Sequence, residues 1–546
     1  MKNMSRYTIT IGCNSIKIGN YTLDDNPQLE KNFKIWNQTR HKLEPFAMHY
    51  DEDSKTLILP RGIDLFYVQR VLQVPTNELI WEDPNEYETF DDIKMNNAYH
   101  PRDDRQKKAL RFMLGINEYA ENQDYSLLSV NSQTGFGKSF CCIYTMCYTK
   151  IKSIVITYAI TILKQWKDYA LKYTNMKDED VYLIQGSDSI HMLLQNKTKH
   201  INAKLYLVSH STLREYGNNY GWEKVTELFK VIKVGQCFID EAHRDFDNIC
   251  KIFGYINVYK TYYVTATPAR SSKDENKIYQ LSMKNVPKLS LYDPNIDKHI
   301  NYIAIKYSSC PTPKQKSEMY NIYGLDKNKY IMYLVKQDAF YKILRVVMDL
   351  AIKLDGPCLF YIDINEAILT VYKWLCKEYP EFAGEIGIYS GLVTQEAKVE
   401  EKKKRIILST LKSAGAAEQI DGLKMAVILA APFKSTVTAV QAAGRLRDKD
   451  TYFVEIIDLA FQNIKKYYYY KLSTYNKYML SVSDVHFKEE ELDNKSYDIM
   501  AKRDLLLKKI PIIPVDRRFG IVDAINPIIE CPDQKIHPLI KIERTD

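Results

Sequence analysis

The chain has 546 residues, of which 45% are hydrophobic and 26% charged, and its 76 basic and 68 acidic side chains leave a net charge of +8. That length predicts more than one core, and the composition excludes a wholly disordered or fibrous chain. The small basic surplus permits contact with a phosphate-rich polymer without requiring it.

The ten cysteines fall at irregular spacings with no CxxC pair, which predicts neither a zinc site nor a disulfide framework and points to a reducing compartment. The opening MKNMSRYTITIG lacks the apolar stretch of a signal peptide, and no apolar run reaches the ~18 residues a bilayer requires. An intracellular, cytoplasmic chain with no membrane partner is the expectation.

In chain order, residues 1–95 read as short strands and turns (RYTITI, SIKIGNYTL, KTLILPRGIDLFYV) and are expected to form a small N-terminal accessory domain. Residues 96–275 alternate apolar strands (LLSVNS, SIVITY, LYLVSH, QCFIDEAH, TYYVTAT) with helical stretches, the pattern of a parallel sheet. Residues 276–300 are polar and aperiodic and predict a linker. Residues 301–475 repeat the strand and helix alternation (NYIAIKYS, CLFYIDI, EIGIYS, RIILST, MAVILAA, FVEIIDLA). Residues 476–546 turn polar and then proline-rich (KKIPIIPVDRR), predicting an irregular C-terminal extension. The predicted fold class is α/β, with two tandem parallel-sheet domains between the accessory domain and the extension.

The most specific motif is Ser132-Gln133-Thr134-Gly135-Phe136-Gly137-Lys138-Ser139, between an apolar strand and a helical run. Strand, glycine-rich loop and helix form an anion cradle: backbone N–H groups and the helix start face phosphates, Lys138 reaches the β and γ oxygens, and the Ser139 hydroxyl meets Mg²⁺. ATP and Mg²⁺ are therefore the expected cofactors. Asp240-Glu241-Ala242-His243 follows the strand QCFI. An Asp at a strand end suits Mg²⁺ and a neighbouring Glu suits activation of the attacking water, although an acidic helix cap would read the same in isolation. Gln106, with Arg102 nearby, offers a paired donor and acceptor for an adenine edge; a charged helix face is the plain alternative.

Taken together these motifs resemble superfamily 2 helicases of the DEAH/DExH type, from about Pro101 to Leu459. Further elements in family order are Lys164-Gln165-Trp166, Thr265-Ala266-Thr267, Ser409-Thr410 with Gly415, and Gln441-Ala442-Ala443-Gly444-Arg445-Leu446-Arg447. The resemblance implies two RecA-like domains and an ATP hydrolase acting as a DNA helicase or translocase. It implies catalytic roles for Lys138, Asp240, Glu241, Arg445 and Arg447, coupling roles for His243, Thr265, Thr267, Gly415 and Gln441, and track contacts from Gln165, Ser209, Thr212 and Thr410. Nucleic acid is the implied partner, DNA ahead of RNA. An RNA-remodelling motor and a nucleotide-dependent structural switch in a transcription complex are the rival readings.

The chain departs from the family pattern at Ser132 in place of Gly, at Tyr158-Ala159 in place of Pro-Thr, at Ala417 and Gln419 in place of Gly and Asp, and at Asp448, where the second arginine usually stands. Within the superfamily, Leu59-Pro60-Arg61-Gly62, the Gln106 element and Lys164-Gln165-Trp166 look similar to the poxvirus-type transcript-release helicases and their relatives in large DNA viruses and phages. That subgroup implies a viral protein packaged in the virion and working with transcription or replication machinery.

Overall fold

The computed structural model describes residues 6–37, 40–133, 135–242, 245–265, 273–293, 298–322, 324–354, 356–411, 413 and 420–488. The chain divides into two compact units, the first running to Tyr292 and the second beginning at Asp293. The proline-rich extension lies outside the described residues.

The first unit is built on a seven-stranded parallel sheet. In spatial order its strands are Val181–Ile184, Leu205–Ser209, Ser153–Thr157, Gln236–Asp240, Lys260–Thr265, Leu127–Asn131 and Lys288–Ser290. Its central strands read as continuous apolar runs because helices cover both faces. One face packs Leu128, Val130, Val155 and Phe238 against Phe140, Ile143 and Trp166. The other face buries Ile154, Ile156, Tyr206 and Ile239 in a core shared with the N-terminal sheet, through Ile16, Leu57 and Leu59.

That N-terminal sheet has five strands, ordered His49–Asp51, Thr56–Pro60, Ser15–Gly19, Thr8–Ile11 and Ile80–Trp81. Its attachment is polar as well as apolar: Asn14 donates to Thr261 Oγ1 at 2.9 Å and accepts from Val258 N at 2.7 Å, both buried. A separate two-stranded ribbon, Lys34–Asn37 with Lys42–Pro45, belongs to the same segment.

The second unit repeats the architecture with seven parallel strands in the order Ile386–Tyr389, Ile406–Ser409, Cys358–Tyr361, Met425–Ile428, Thr451–Asp458, Ile300–Tyr307 and Ser481–His486. Two tandem RecA-like α/β domains preceded by a small sheet domain are therefore present.

Two boundaries differ from the sequence expectation. Lys288–Ser290, inside the expected linker, pairs with Leu127–Asn131 as an edge strand, and Ser481–His486, inside the expected extension, pairs with Ile300–Tyr307. Edge strands this short carry too few apolar residues to signal themselves by periodicity. Among the described residues no helix is long and apolar enough to cross a membrane.

Candidate nucleotide site

In a parallel sheet every strand ends at the same edge, and loops leaving that edge converge. In the first unit this gathers the Ser132–Ser139 loop after Leu127–Asn131, the Asp240-Glu241 pair after Gln236–Asp240, and Thr265 at the end of the strand lying between them. A backbone hydrogen bond from Ser132 N to Thr265 O (3.0 Å) ties the loop to that middle strand.

The loop takes its form from two glycines in the left-handed region, Gly135 (φ +83°) and Gly137 (φ +95°). A side chain at Gly137 is strained by the φ, and a Cβ there would sit 2.5 Å from Gln106 Nε2 and displace that amide. The helix Lys138–Thr149 begins directly after Gly137 with no side-chain cap, so its first-turn N–H groups have no side-chain acceptor at the cap. Asn131 Oδ1 and Ser132 Oγ at the root of the loop are buried without a hydrogen-bond partner among the described residues. Uncapped donors at a positive helix end, with the unpartnered Ser132 hydroxyl beside them, fit the phosphate groups of a nucleotide.

Gln106 lies on the helix Asp104–Leu114, which Asp103 caps. Its Nε2 donates to Phe136 O at 2.6 Å and its Oε1 accepts from Arg102 N at 2.7 Å; the Arg102 guanidinium also reaches Phe136 O, at 3.4 Å. Both halves of the amide brace the loop in this arrangement. A contact with an adenine edge requires the amide to exchange partners.

Lys138 Nζ and Glu241 Oε1 form a part-buried ion pair at 3.3 Å, joining residues 103 positions apart in sequence. Glu241 has a φ of +54°, uncommon for a side-chain-bearing residue and a mark of a turn held by its surroundings. Asp240 keeps a partly open edge but is densely enclosed. Desolvation, reinforced by the neighbouring Glu241 charge, raises its carboxyl to about 6, while Lys138 and a hydrogen bond from Trp166 Nε1 (3.1 Å) oppose the rise.

Trp166, buried on the helix Ile160–Tyr173, is the residue to which the sequence reading assigned no role. A lone tryptophan beside Gln165 on an amphipathic helix was the available signal, but the indole N–H partner lies 74 positions away.

Ser139 occupies the second position of the helix Lys138–Thr149 and Gln133 is half-buried at the loop root. Among the described residues no group of three or more His, Cys, Asp or Glu is arranged around a cation. One carboxylate and one hydroxyl are nevertheless the donor set Mg²⁺ takes when phosphate oxygens and water complete its shell, and a carboxylate left short of positive charge fits such an ion. The neighbouring Cys141 thiol is pushed by burial up to about 12 and is not a nucleophile.

The expected track contacts divide. Gln165 is half-buried and donates to Tyr169 Oη at 3.0 Å. Ser209 and Thr212 are buried, and the Ser209 hydroxyl accepts from Thr212 N at 3.1 Å, capping the helix His210–Tyr220. The pair serves as a helix cap here, which leaves Ser211 as the more open hydroxyl of that turn. Next to the cap, His210 Nδ1 lies 3.3 Å from the carboxylate of Asp245, the residue that opens the helix Phe246–Phe253 just beyond the acidic motif.

In the second unit Thr410 hydrogen-bonds Ser413, with Oγ1 to Oγ at 2.9 Å, at the end of the strand Ile406–Ser409. Gln441 sits on the helix Thr436–Ala443. Arg445 and Arg447 follow that helix in irregular backbone, the first half-buried and the second exposed, so their spacing of two does not place them on one helical face. Thr134, His243, Thr267 and Gly415, with Ala417 and Gln419, lie outside the described residues.

No family model matches the chain, and no curated protein matches it. Among solved structures the chain is similar to T4 UvsW at 14% identity, covering 88% of this chain and 99% of that one with a TM-score of 0.34. It is also similar to S. cerevisiae Dbp5 bound to RNA and ADP BeF3, at 14% identity over 74% and 93% of the two chains with a TM-score of 0.48. Mss116p bound to ssRNA and AMP-PNP stands at 14% identity, 71% and 75% coverage and a TM-score of 0.49.

Proposed function

We propose that this chain is an ATP-driven motor of the superfamily 2 helicase type that moves on nucleic acid, with DNA as the track. The observation that carries the reading is the Lys138–Glu241 ion pair at the edge of the first parallel sheet, which brings a phosphate-seeking ammonium and a candidate general base together from two loops. Nothing in a purely structural turn calls for that pairing beside a desolvated Asp240.

Bound triphosphate draws Lys138 away from Glu241 and onto the phosphate oxygens, and the released carboxylate then orients and deprotonates the attacking water. Ser139 and Asp240 would hold Mg²⁺, and such an ion would supply neutralisation of phosphate charge. Trp166 positions Asp240. Arg445, with Arg447, is assigned transition-state charge stabilisation. Thr265, with His243, Thr267, Gly415 and Gln441, couples this chemistry to motion. Gln165, Thr410 and Ser211, the more open hydroxyl of the Ser209–Thr212 turn, contact the sugar-phosphate backbone, which makes affinity salt-sensitive and nearly sequence-blind.

The test is ATP hydrolysis by the purified chain with single-stranded, duplex and forked DNA, and with RNA. Glu241→Gln is expected to bind nucleotide and lose turnover by roughly 100-fold or more, the scale on which a positioned proton acceptor contributes. Unchanged turnover in that variant removes Glu241 as base, and stimulation by RNA alone transfers the track to RNA.

A further inference from the structure

The helix Gln462–Tyr478 of the second unit reads QNIKKYYYYKLSTYNKY, without a single acidic residue. Its inner face is set by Ile464, Tyr468, Lys471 and Tyr475, all buried and stepped at helical spacing. At about 3.6 residues per turn, Lys466, Tyr469, Tyr470 and Lys477 fall together on the opposite face, and all four are exposed.

Two features set this face apart from an ordinary solvated one. Exposed helix faces are commonly laced with opposite charges three or four positions apart, and here the helix supplies no carboxylate. Among the described residues no carboxylate pairs with Lys434, Lys465 or Lys466. The rings are also held outward: Tyr469 and Tyr470 are 50% and 37% exposed, and buried Tyr468 backs Tyr469 at 5.1 Å between ring centroids. Lys434, exposed on the loop after Met425–Ile428, lies over the Tyr470 ring at 4.6 Å and brings a further cation to the same face.

The sheet fixes where this face begins. Thr451–Asp458, which precedes the helix, runs parallel to Ile406–Ser409 through the two strands between them. The helix and the Lys434 loop therefore leave the sheet at the edge where Thr410 stands.

We infer that this face is a binding surface for a single strand of nucleic acid, with a base stacked on Tyr469 and phosphates on Lys434 and Lys466. The inference rests on the motor reading above and adds a gripping surface outside the motifs that carry it. Charge complementarity selects a polyanion, and the rings select its form. A half-exposed aromatic beside lysines suits an unpaired base, whereas a duplex keeps its base faces stacked inside. An acidic protein segment would use the lysines and leave the Tyr469 ring without a partner.

The experiment is fluorescence anisotropy of the full chain, in nucleotide-free buffer, with single-stranded DNA or RNA, an abasic strand of the same length and a blunt duplex, over a range of salt. Tyr469→Ala is expected to weaken single-strand binding by roughly 5- to 100-fold, the range of one base stacked on an aromatic ring, and to leave abasic-strand and duplex affinity within about twofold. Tyr469→Phe should keep wild-type affinity. Lys434→Gln/Lys466→Gln is expected to lower the slope of log affinity against log salt on the single strand by about 1.4.

Single-strand affinity within about twofold of wild type in Tyr469→Ala overturns the proposal, as does an equal loss on the abasic strand, which marks a structural role for the ring. So does an unchanged salt slope in the lysine variant. Poly-glutamate bound by the wild-type chain as tightly as the strand, and lost in the lysine variant, assigns the face to an acidic protein instead. Should Tyr469→Ala fail to fold, the salt slope decides alone. Absent ATP hydrolysis in the wild-type chain with every nucleic acid defeats the motor reading, whereas the nucleotide-free titrations judge this face separately.

Discussion

Lys138 pairs with Glu241, and the Trp166 N–H donates to Asp240, whose carboxyl pKa is raised by burial and by the Glu241 charge. Replacing Trp166 by Phe keeps an aromatic ring in the core but removes the N–H that holds Asp240. The expected cost is about 1.5–3 kcal/mol of stability, the range of a hydrogen bond to a charged group, read by urea unfolding. Turnover should fall by about 10-fold or more, as when a group orienting a metal ligand is lost, with part of the loss restored by raised Mg²⁺. At Gly137 the φ of +95° strains any side-chain-bearing residue, and a methyl group would displace the Gln106 amide that braces Phe136 O. Gly137→Ala is expected to abolish nucleotide binding, and retained binding in a fluorescent-nucleotide titration would show that the loop tolerates a different path.

At the scale of elements, the cap of the helix His210–Tyr220 and the start of the helix Phe246–Phe253 meet through His210 and Asp245. Burial lowers the His210 pKa from its ordinary 6.5; Asp245 opposes the shift and Arg214 assists it. His49, close to Asp247 on the second of these helices, is lowered by burial too. A histidine depressed in the folded state binds its proton more readily when unfolded. The stability it contributes is therefore complete above pH 6.5 and is lost as pH falls below that value toward the folded pKa. Thermal melts at pH 7.5 and 5.5 are expected to show a smaller acid-induced loss in a His49→Asn/His210→Gln chain than in wild type, a comparison that cancels the contribution of Asp240. Ser209→Ala removes the neighbouring cap and should cost about 1 kcal/mol.

The second unit has a polar device of its own in its core. Lys471 and Glu455 are both wholly buried and 2.6 Å apart, Tyr302 donates to the same carboxylate at 2.9 Å, and the Lys471 ammonium lies over the Phe433 ring at 4.5 Å. Breaking such a pair leaves a charge stranded. Glu455→Gln is therefore expected to destabilise the second unit by about 3–5 kcal/mol, whereas Glu455→Leu/Lys471→Met should recover part of that loss. Calorimetry should show the second unit melting first in Glu455→Gln, with nucleotide still stabilising the first. A single unshifted transition would mean that the pair carries little of that unit's stability.

The two parallel sheets and the glycine-rich loop were legible in the residues because their signals are local. Continuous apolar runs mark strands covered on both faces, and Gly135, Gly137 and Lys138 carry the loop's geometry within a few positions. The indole contact of Trp166 with Asp240, the Lys138–Glu241 pair and the bracing of Phe136 O by Gln106 join residues 74, 103 and 30 positions apart. No spacing rule reaches across those distances. Ser209 and Thr212 show the converse, since hydroxyls expected to meet a track turn inward to satisfy a helix end. By itself the sequence determined the fold class and the backbone path of the glycine-rich loop, because backbone preference and hydrophobic period act over short range. Only the tertiary structure decided which charges meet, which hydroxyls are used up and which apolar residues stay bare, because those outcomes depend on strands brought side by side.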